Sequence, residues 1–249
     1  MKPNATARLQ DILSAHQPDW YAAQRAIHDG ANLDAPLVDD PGRTLLVNAC
    51  HWNRMGVARW LIEKGANPNA SSRSNRHKPL REAAIHGHTE IIRLLLEGHA
   101  NIEARDRSGW TALAYAVWQN HRHSTALLLA HGANPNARGP RGETPLMGAA
   151  NGALIHDADT RIMFDLLLDH GLDPSVADDA GRTLPEFFAS VRRENLAAML
   201  DTALTAPPRA TARRRLLDRL TAAQRTAWLP KSCAVEAVCR STKIWSRKP

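Results

Sequence analysis

The sequence predicts an all-α solenoid of stacked helix pairs, on three observations. The hexapeptide Gly-Ala-Asn-Pro-Asn-Ala stands at Gly65–Ala70 and again at Gly132–Ala137. Weaker copies of the surrounding pattern place successive first-helix starts at Thr44, Lys78, Thr111, Thr144 and Thr183, at intervals of 34, 33, 33 and 39 residues. Each unit holds an alanine-rich run followed by a leucine-rich run. A fixed period of about 33 residues marks a stacked repeat, in which one module buries its apolar faces only against its neighbours.

Along the chain, residues 1–37 read as an N-terminal capping helix pair, whose degraded unit ends in Ala26-Ile27-His28-Asp29-Gly30-Ala31-Asn32. Residues 38–204 form the array, with units starting near 40, 74, 107, 140 and 179. Thr44, Thr111, Thr144 and Thr183 precede apolar runs, where a hydroxyl accepts from an orphan helix amide. Pro79 and Pro145 fall at the first helical position, where a missing N–H costs nothing. Ala49, Ala83-Ala84, Ala116 and Ala149-Ala150 are small enough to let the two helices approach. Leu61-Ile62, Leu94–Leu96, Leu127–Leu129 and Leu166–Leu168 supply the buried side of the second helix, and Trp60 replaces a leucine there and reads as core. Gly65, Gly132 and Gly171 end that helix in a left-handed residue. Asn67 and Asn134 then fold onto local backbone. At Gly98-His99 the glycine comes one residue early, so either His99 takes positive φ or the helix stops sooner. The last unit is a terminal cap, with bulkier Phe187-Phe188 and Leu196–Leu200 closing the stack.

These units resemble the ankyrin repeat from about Leu9 to Leu204. The residues that carry the resemblance are Asp106-Arg-Ser-Gly-Trp-Thr-Ala-Leu-Ala-Tyr-Ala and Gly142-Glu-Thr-Pro-Leu-Met-Gly-Ala-Ala, with Lys78–Leu96 spanning both helices of one unit. The family's Thr-Pro-Leu-His opening is imperfect, appearing as Thr44-Leu-Leu-Val, Lys78-Pro-Leu-Arg, Thr111-Ala-Leu-Ala, Thr144-Pro-Leu-Met and Thr183-Leu-Pro-Glu. The resemblance implies helix pairs with β-turn fingers. It also implies a non-catalytic scaffold that meets a partner protein through the finger tips and the exposed side of the first helix, the concave face. Carried over position by position, the finger residues are Arg43, His77, Trp110, Glu143 and Arg182. The first-helix positions are His51-Trp52, Ile85-His86, Trp118-Gln119 and Asn151-Gly152. The expected partner-binding set is Arg43, His51, Trp52, His77, His86, Trp110, Trp118 and Gln119. Its anchors are the three tryptophans, the residue type most enriched at interface hot spots.

Enzyme chemistry has no support in the motifs. There is no Gly-x-Ser-x-Gly, no His-Glu-x-x-His and no phosphate-binding glycine loop. Cys50 and His51 are neighbours in sequence, about 100° apart on a helix, the wrong arrangement for a nucleophile and its base. The 12 histidines include His86-Gly87-His88, His121-Arg122-His123 and His156-Asp157-Ala158-Asp159. Their spacing repeats with the stack rather than forming a recognised ligand pattern, so no metal or other cofactor is expected. No small-molecule substrate is expected, and the protein reads as a monomer.

Charge divides the chain. The net charge is +7, yet residues 205–249 hold 11 Lys and Arg against only Asp218 and Glu236. This basic tail begins near Pro207-Pro208, reads as helical to about residue 229, and then as disordered. It leaves two alternative functions open: nucleic-acid or acidic-membrane binding through the tail, and export as a bacterial-type ankyrin effector. Three cysteines without metal spacing fit a reducing compartment. The N-terminal residues lack an apolar signal core, so the expected location is the cytoplasm. Six residues added within Asn151–Arg161 read as a surface insertion or a second contact edge.

Overall fold

The computed structural model describes residues 4–71, 77–150 and 157–191. Its helices follow the repeat. Helices α1 (Ala5–Ser14) and α2 (Trp20–His28) pack together at the N-terminal end. Then come α3 (Leu45–His51) with α4 (Met55–Glu63), α5 (Pro79–Ile85) with α6 (Thr89–Glu97), and α7 (Ala112–Trp118) with α8 (Arg122–Ala130). Helices α9 (Pro145–Ala150), α10 (Asp157–Asp169) and α11 (Leu184–Ser190) follow. First helices stack in one row, α3 on α5 on α7 on α9 on α11, and second helices in another, α4 on α6 on α8 on α10. Among the described residues the only β pairing is an isolated antiparallel bridge between Pro36 and Thr44. The fold is an all-α solenoid.

Register explains each boundary. Asn53, Gly87 and Asn120 occupy one position between first and second helices, and all three have positive φ, of 53°, 69° and 57°. After the second helix Gly65, Gly132 and Gly171 share another such position, with His99 in the same register at φ 63°. The early glycine at position 98 therefore does not shorten the turn. Helix α6 ends at Glu97, Gly98 keeps negative φ, and His99 takes the left-handed place. Thr44 and Thr111 cap as expected, accepting from the amides of Val47 and Ala114 at 3.4 Å. Thr144 does not, and its buried hydroxyl has no partner among the described residues. Thr183 instead is tied to Glu186, whose carboxylate accepts from the Thr183 amide and hydroxyl, each at 2.7 Å.

The middle leucines Leu95, Leu128 and Leu167 are 0% exposed and sit in one continuous core with Leu61, Ile91, Leu113, Leu146 and Phe164. Leu127–Leu129 are buried throughout, but the other two triplets are not. Leu96 and Leu166 are half-buried and Leu168 is exposed, since consecutive helical residues point in different directions and each needs its own neighbour to cover it. Trp60 is also half-buried rather than enclosed, its ring lying 5.7 Å from that of Trp20 at the start of α2. At the far end Phe187 and Phe188 pack edge to face and are buried.

The asparagine turns do more than close on themselves. Asn67, Asn101 and Asn134 each accept from the amide two residues on, and Asp173 does the same for Ser175. A second set of bonds joins successive units. The amide of Asn67 donates to Asp34, that of Asn101 to Asn69, that of Asn134 to Glu103, and that of Asp173 to Asn136. One side chain per unit thus accepts from the next unit's turn, forming a ladder along the stack.

The extra residues of the fourth unit fall partly in α10, which has 13 residues where α4, α6 and α8 have 9. Residues 151–156, between α9 and α10, lie outside the described residues, as do the Leu196–Leu200 segment, Leu204 and the tail 205–249.

Candidate functional site

The residues that vary between units share one side of the first-helix row. Counting from the first-helix start, His51, Ile85 and Trp118 hold one register, and Trp52, His86 and Gln119 the next, as the C-caps of α3, α5 and α7. The finger residues Arg43, His77 and Trp110 immediately precede these helices. A further variable register, four residues into the helix, holds Asn48, Glu82, Tyr115 and Gly148.

Glu82 organises the centre of this face, and its side chain is only 3% exposed. Its Oε2 lies 3.0 Å from His51 Nδ1, and its Oε1 lies 3.0 Å from His77 Nδ1 and 2.5 Å from Arg81 Nη1. An ionised carboxylate only accepts, so both imidazole nitrogens donate. Burial opposes the Glu82 charge. The hydrogen bonds from His77 and His51, with Arg81 alongside, outweigh it and hold the pKa below its ordinary value. Burial also pushes the neighbouring Cys50 thiol upward, with Glu82 adding to the shift. The thiol is free and held protonated.

From Glu82 the network runs to the next unit. Arg81 Nε donates to Asp106 at 3.0 Å, and its guanidinium lies over the Tyr115 ring at 4.4 Å. The Tyr115 hydroxyl donates to Asp106 at 2.7 Å. Burial works against the Arg81 charge, but Tyr115, Glu82 and Asp106 together hold its pKa above the usual value. For Tyr115, burial raises the pKa. Asp106 also accepts from the amides of Ser108 and Trp110, which shapes the finger that carries Trp110.

Aromatic rings flank this polar strip. His51 meets Trp52 edge-on at 4.7 Å and His86 at 4.5 Å, while Trp118 stacks on Tyr115 at 6.2 Å. Trp52 is 65% exposed and Trp118 is 38% exposed. Trp110 behaves differently. It is half-buried, and a Cβ added at Gly139 or Gly148 would come within 2.5 Å of its ring. Its ring fills the space those glycines leave and lines a narrow crevice with Ala114, Tyr115, Trp118 and Pro145. The expected fully presented trio of tryptophans is therefore two presented rings and one wedged between units.

Contacts bring together His51, Trp52, His77 and His86 around Glu82, and Trp110 and Trp118 around Tyr115. Arg43 stands apart, 3.4 Å from Asp40, and Gln119 is exposed at the end of α7. The sequence reading passed over Glu82, Arg81, Asp106 and Tyr115. A charged residue at the register that otherwise holds Asn48, Tyr115 and Gly148 was the available signal for Glu82. The inference that repeat spacing keeps histidines apart was also mistaken. Because units superpose in the stack, His51 and His86 are 35 residues apart in sequence yet 3.0 Å apart in space, Nδ1 to Nε2.

Fold and face together define a helical-repeat solenoid whose variable positions gather along one row of helices. The family model described as "Ankyrin repeats (3 copies)" matches residues 65–139, and that described as "Ankyrin repeat" matches residues 41–70. The chain belongs to the ankyrin repeat family. It is 37% identical over 126 residues to SH3 and multiple ankyrin repeat domains protein 1 of Homo sapiens, covering 50% of this chain and 6% of that protein. It is 34% identical over 224 residues to ankyrin repeat and SOCS box protein 16 of Mus musculus, covering 73% and 47%. It is 36% identical over 93 residues to glycerophosphocholine phosphodiesterase gde1 of Schizosaccharomyces pombe, covering 37% and 8%. The chain thus spans less than half the length of each of these relatives. Ankyrin repeats generally mediate protein–protein interaction, as extended repeat surfaces do. No helix among the described residues is long and apolar enough to cross a membrane.

Proposed function

We propose that the chain is a non-catalytic scaffold that binds a partner protein on its first-helix face, the concave side in ankyrin proteins. The observation that carries this reading is Trp52, a large ring left 65% exposed at the end of α3. It stands beside a polar centre whose side chains are already fixed by hydrogen bonds. A preordered surface loses little freedom on docking, so more of the contact energy appears as affinity. Trp52 and Trp118 act as apolar anchors, with His51, His77, His86 and Gln119 offering polar contacts between them and Arg43 and Trp110 at the finger side. The free, buried Cys50 fits action in a reducing compartment such as the cytoplasm.

Affinity capture from native lysate tests this. The full chain should retain a partner that is lost from Trp52→Ala and Trp118→Ala but kept by Tyr21→Ala. Tyr21 is 75% exposed on α2 of the capping pair, away from the row. Losing one anchor should weaken true binding by about 2 kcal/mol or more. Equal capture by all three variants would move the interface off this face.

A further inference from the structure

The centre of the face converges on a single point in a way that hydrogen bonding alone does not satisfy. His51 Nδ1, Glu82 Oε2 and His86 Nε2 all lie within 4.8 Å of one another. The first is 3.0 Å from each of the other two. One proton on His51 Nδ1 serves the carboxylate, but it leaves that nitrogen no lone pair with which to accept from His86. If the His86 nitrogen is bare, two lone pairs face the same proton. If His51 Nδ1 is bare instead, its lone pair faces the carboxylate at hydrogen-bond distance. A divalent cation accepts from all three atoms at once.

We propose that His51, Glu82 and His86 form a binding site for a borderline divalent transition metal, of the class of Zn²⁺, Co²⁺ or Ni²⁺. Two imidazoles and a carboxylate are a donor set these ions take, leaving one position for water or a side chain of a bound protein. Tetrahedral ligands bonded at about 2.0–2.1 Å stand roughly 3.3 Å apart, so two of the three edges already lie near their liganded length. The carboxylate is aimed from behind, since His77 and Arg81 hold Oε1 and leave Oε2 turned toward the two histidines. Orientation of a ligand by its own hydrogen-bond partners is a usual property of metal sites. Charge also permits the ion, because Arg81 is shared with Asp106 and the three groups together carry one net negative charge. His86 is exposed, so the ion has a path from solvent. The site stands or falls independently of whether the face binds a protein.

The test is calorimetric titration of Zn²⁺ into the metal-stripped full chain, beside His86→Ala and a His16→Ala control. His16 is exposed on the N-terminal side of α2 and belongs to no part of the cluster. The wild type and His16→Ala should bind one more equivalent of Zn²⁺ than His86→Ala, with affinity at least about tenfold tighter than any residual binding. Zn²⁺ should raise their Tm but not that of His86→Ala. Far-UV circular dichroism should show the metal-free variant folded like the wild type, because the His86 side chain is exposed and its truncation leaves the core intact. Co²⁺ should give a visible d–d absorption band that His86→Ala lacks. Superimposable titrations for wild type and His86→Ala would overturn the site and leave the cluster an ordinary hydrogen-bonded network.

Discussion

The turn ladder and the first-helix face are built from the same repeat and treat it in opposite ways. Along the ladder, chemistry is copied from unit to unit. Asp34, Asn69, Glu103 and Asn136 each accept from the next unit's turn amide, so the register and the accepting side-chain oxygen are kept while the residue changes only among Asp, Asn and Glu. Along the face, the same registers carry His51, Ile85 and Trp118, or Asn48, Glu82, Tyr115 and Gly148. The backbone places these positions equivalently, yet each unit puts different chemistry there. Repetition builds the stack, and departure from repetition builds the site.

This contrast can be broken by mutation. The largest effect should come from the copied side: Leu128→Ala, in the fully buried second-helix row, should destabilise by about 2–5 kcal/mol in denaturant unfolding. A loss below about 1 kcal/mol would mean that the leucine row does not hold the stack.

Glu82→Gln should cost about 1–3 kcal/mol at neutral pH, because the half-buried donors of His51, His77 and Arg81 lose their charged, buried acceptor. Its pH dependence sharpens the point. The folded pKa of Glu82 lies below the ordinary value. Its contribution is therefore fully present above the unfolded carboxylate pKa, about 4.3, and is lost as pH falls through the lower folded value. The stability gap between wild type and Glu82→Gln should close on acidification in that range. A gap constant with pH would show that the charge on Glu82 does not matter to the face.

Gly148→Ala should cost about 1–3 kcal/mol, because its Cβ would meet the Trp110 ring at 2.5 Å. Trp110 would be displaced toward water, and its fluorescence should shift to the red. No spectral change would place Trp110 somewhere other than the wedge between units.

The smallest change is His99→Gly. It relieves a left-handed residue worth about 1–2 kcal/mol of strain and gives back about 0.5–1 kcal/mol of backbone entropy. A net gain of about 0.5 kcal/mol should appear in the same unfolding measurement. Destabilisation would mean that the His99 side chain makes a contribution of its own.

The copied features were the legible ones. Thr44, Thr111, Gly65, Gly132 and the leucine runs announced helix starts, stops and buried sides, because each recurs with a job that local physics assigns. Even the displaced glycine at position 98 allowed only two outcomes, and the structure takes the one with His99 at positive φ. The face was legible as a set of positions but not as a network. A single glutamate in an amphipathic helix reads as surface. Only stacking the units shows that Glu82 lies under His51 of the preceding repeat. Trp110 was misjudged for the same reason, since its packing depends on Gly139 and Gly148 in the next unit. The inter-unit bonds of the ladder likewise pair residues about one repeat apart, which no local pattern reveals.

On the proposed function, binding belongs to the varied face and not to the copied scaffold. Amide hydrogen exchange of the full chain, with and without the partner it captures, tests this most directly. Added protection should be confined to the ends of α3, α5 and α7, around His51-Trp52, Ile85-His86 and Trp118-Gln119, and to the fingers before them. Protection falling instead on α4, α6 and α8, or on residues 205–249 alone, would contradict it.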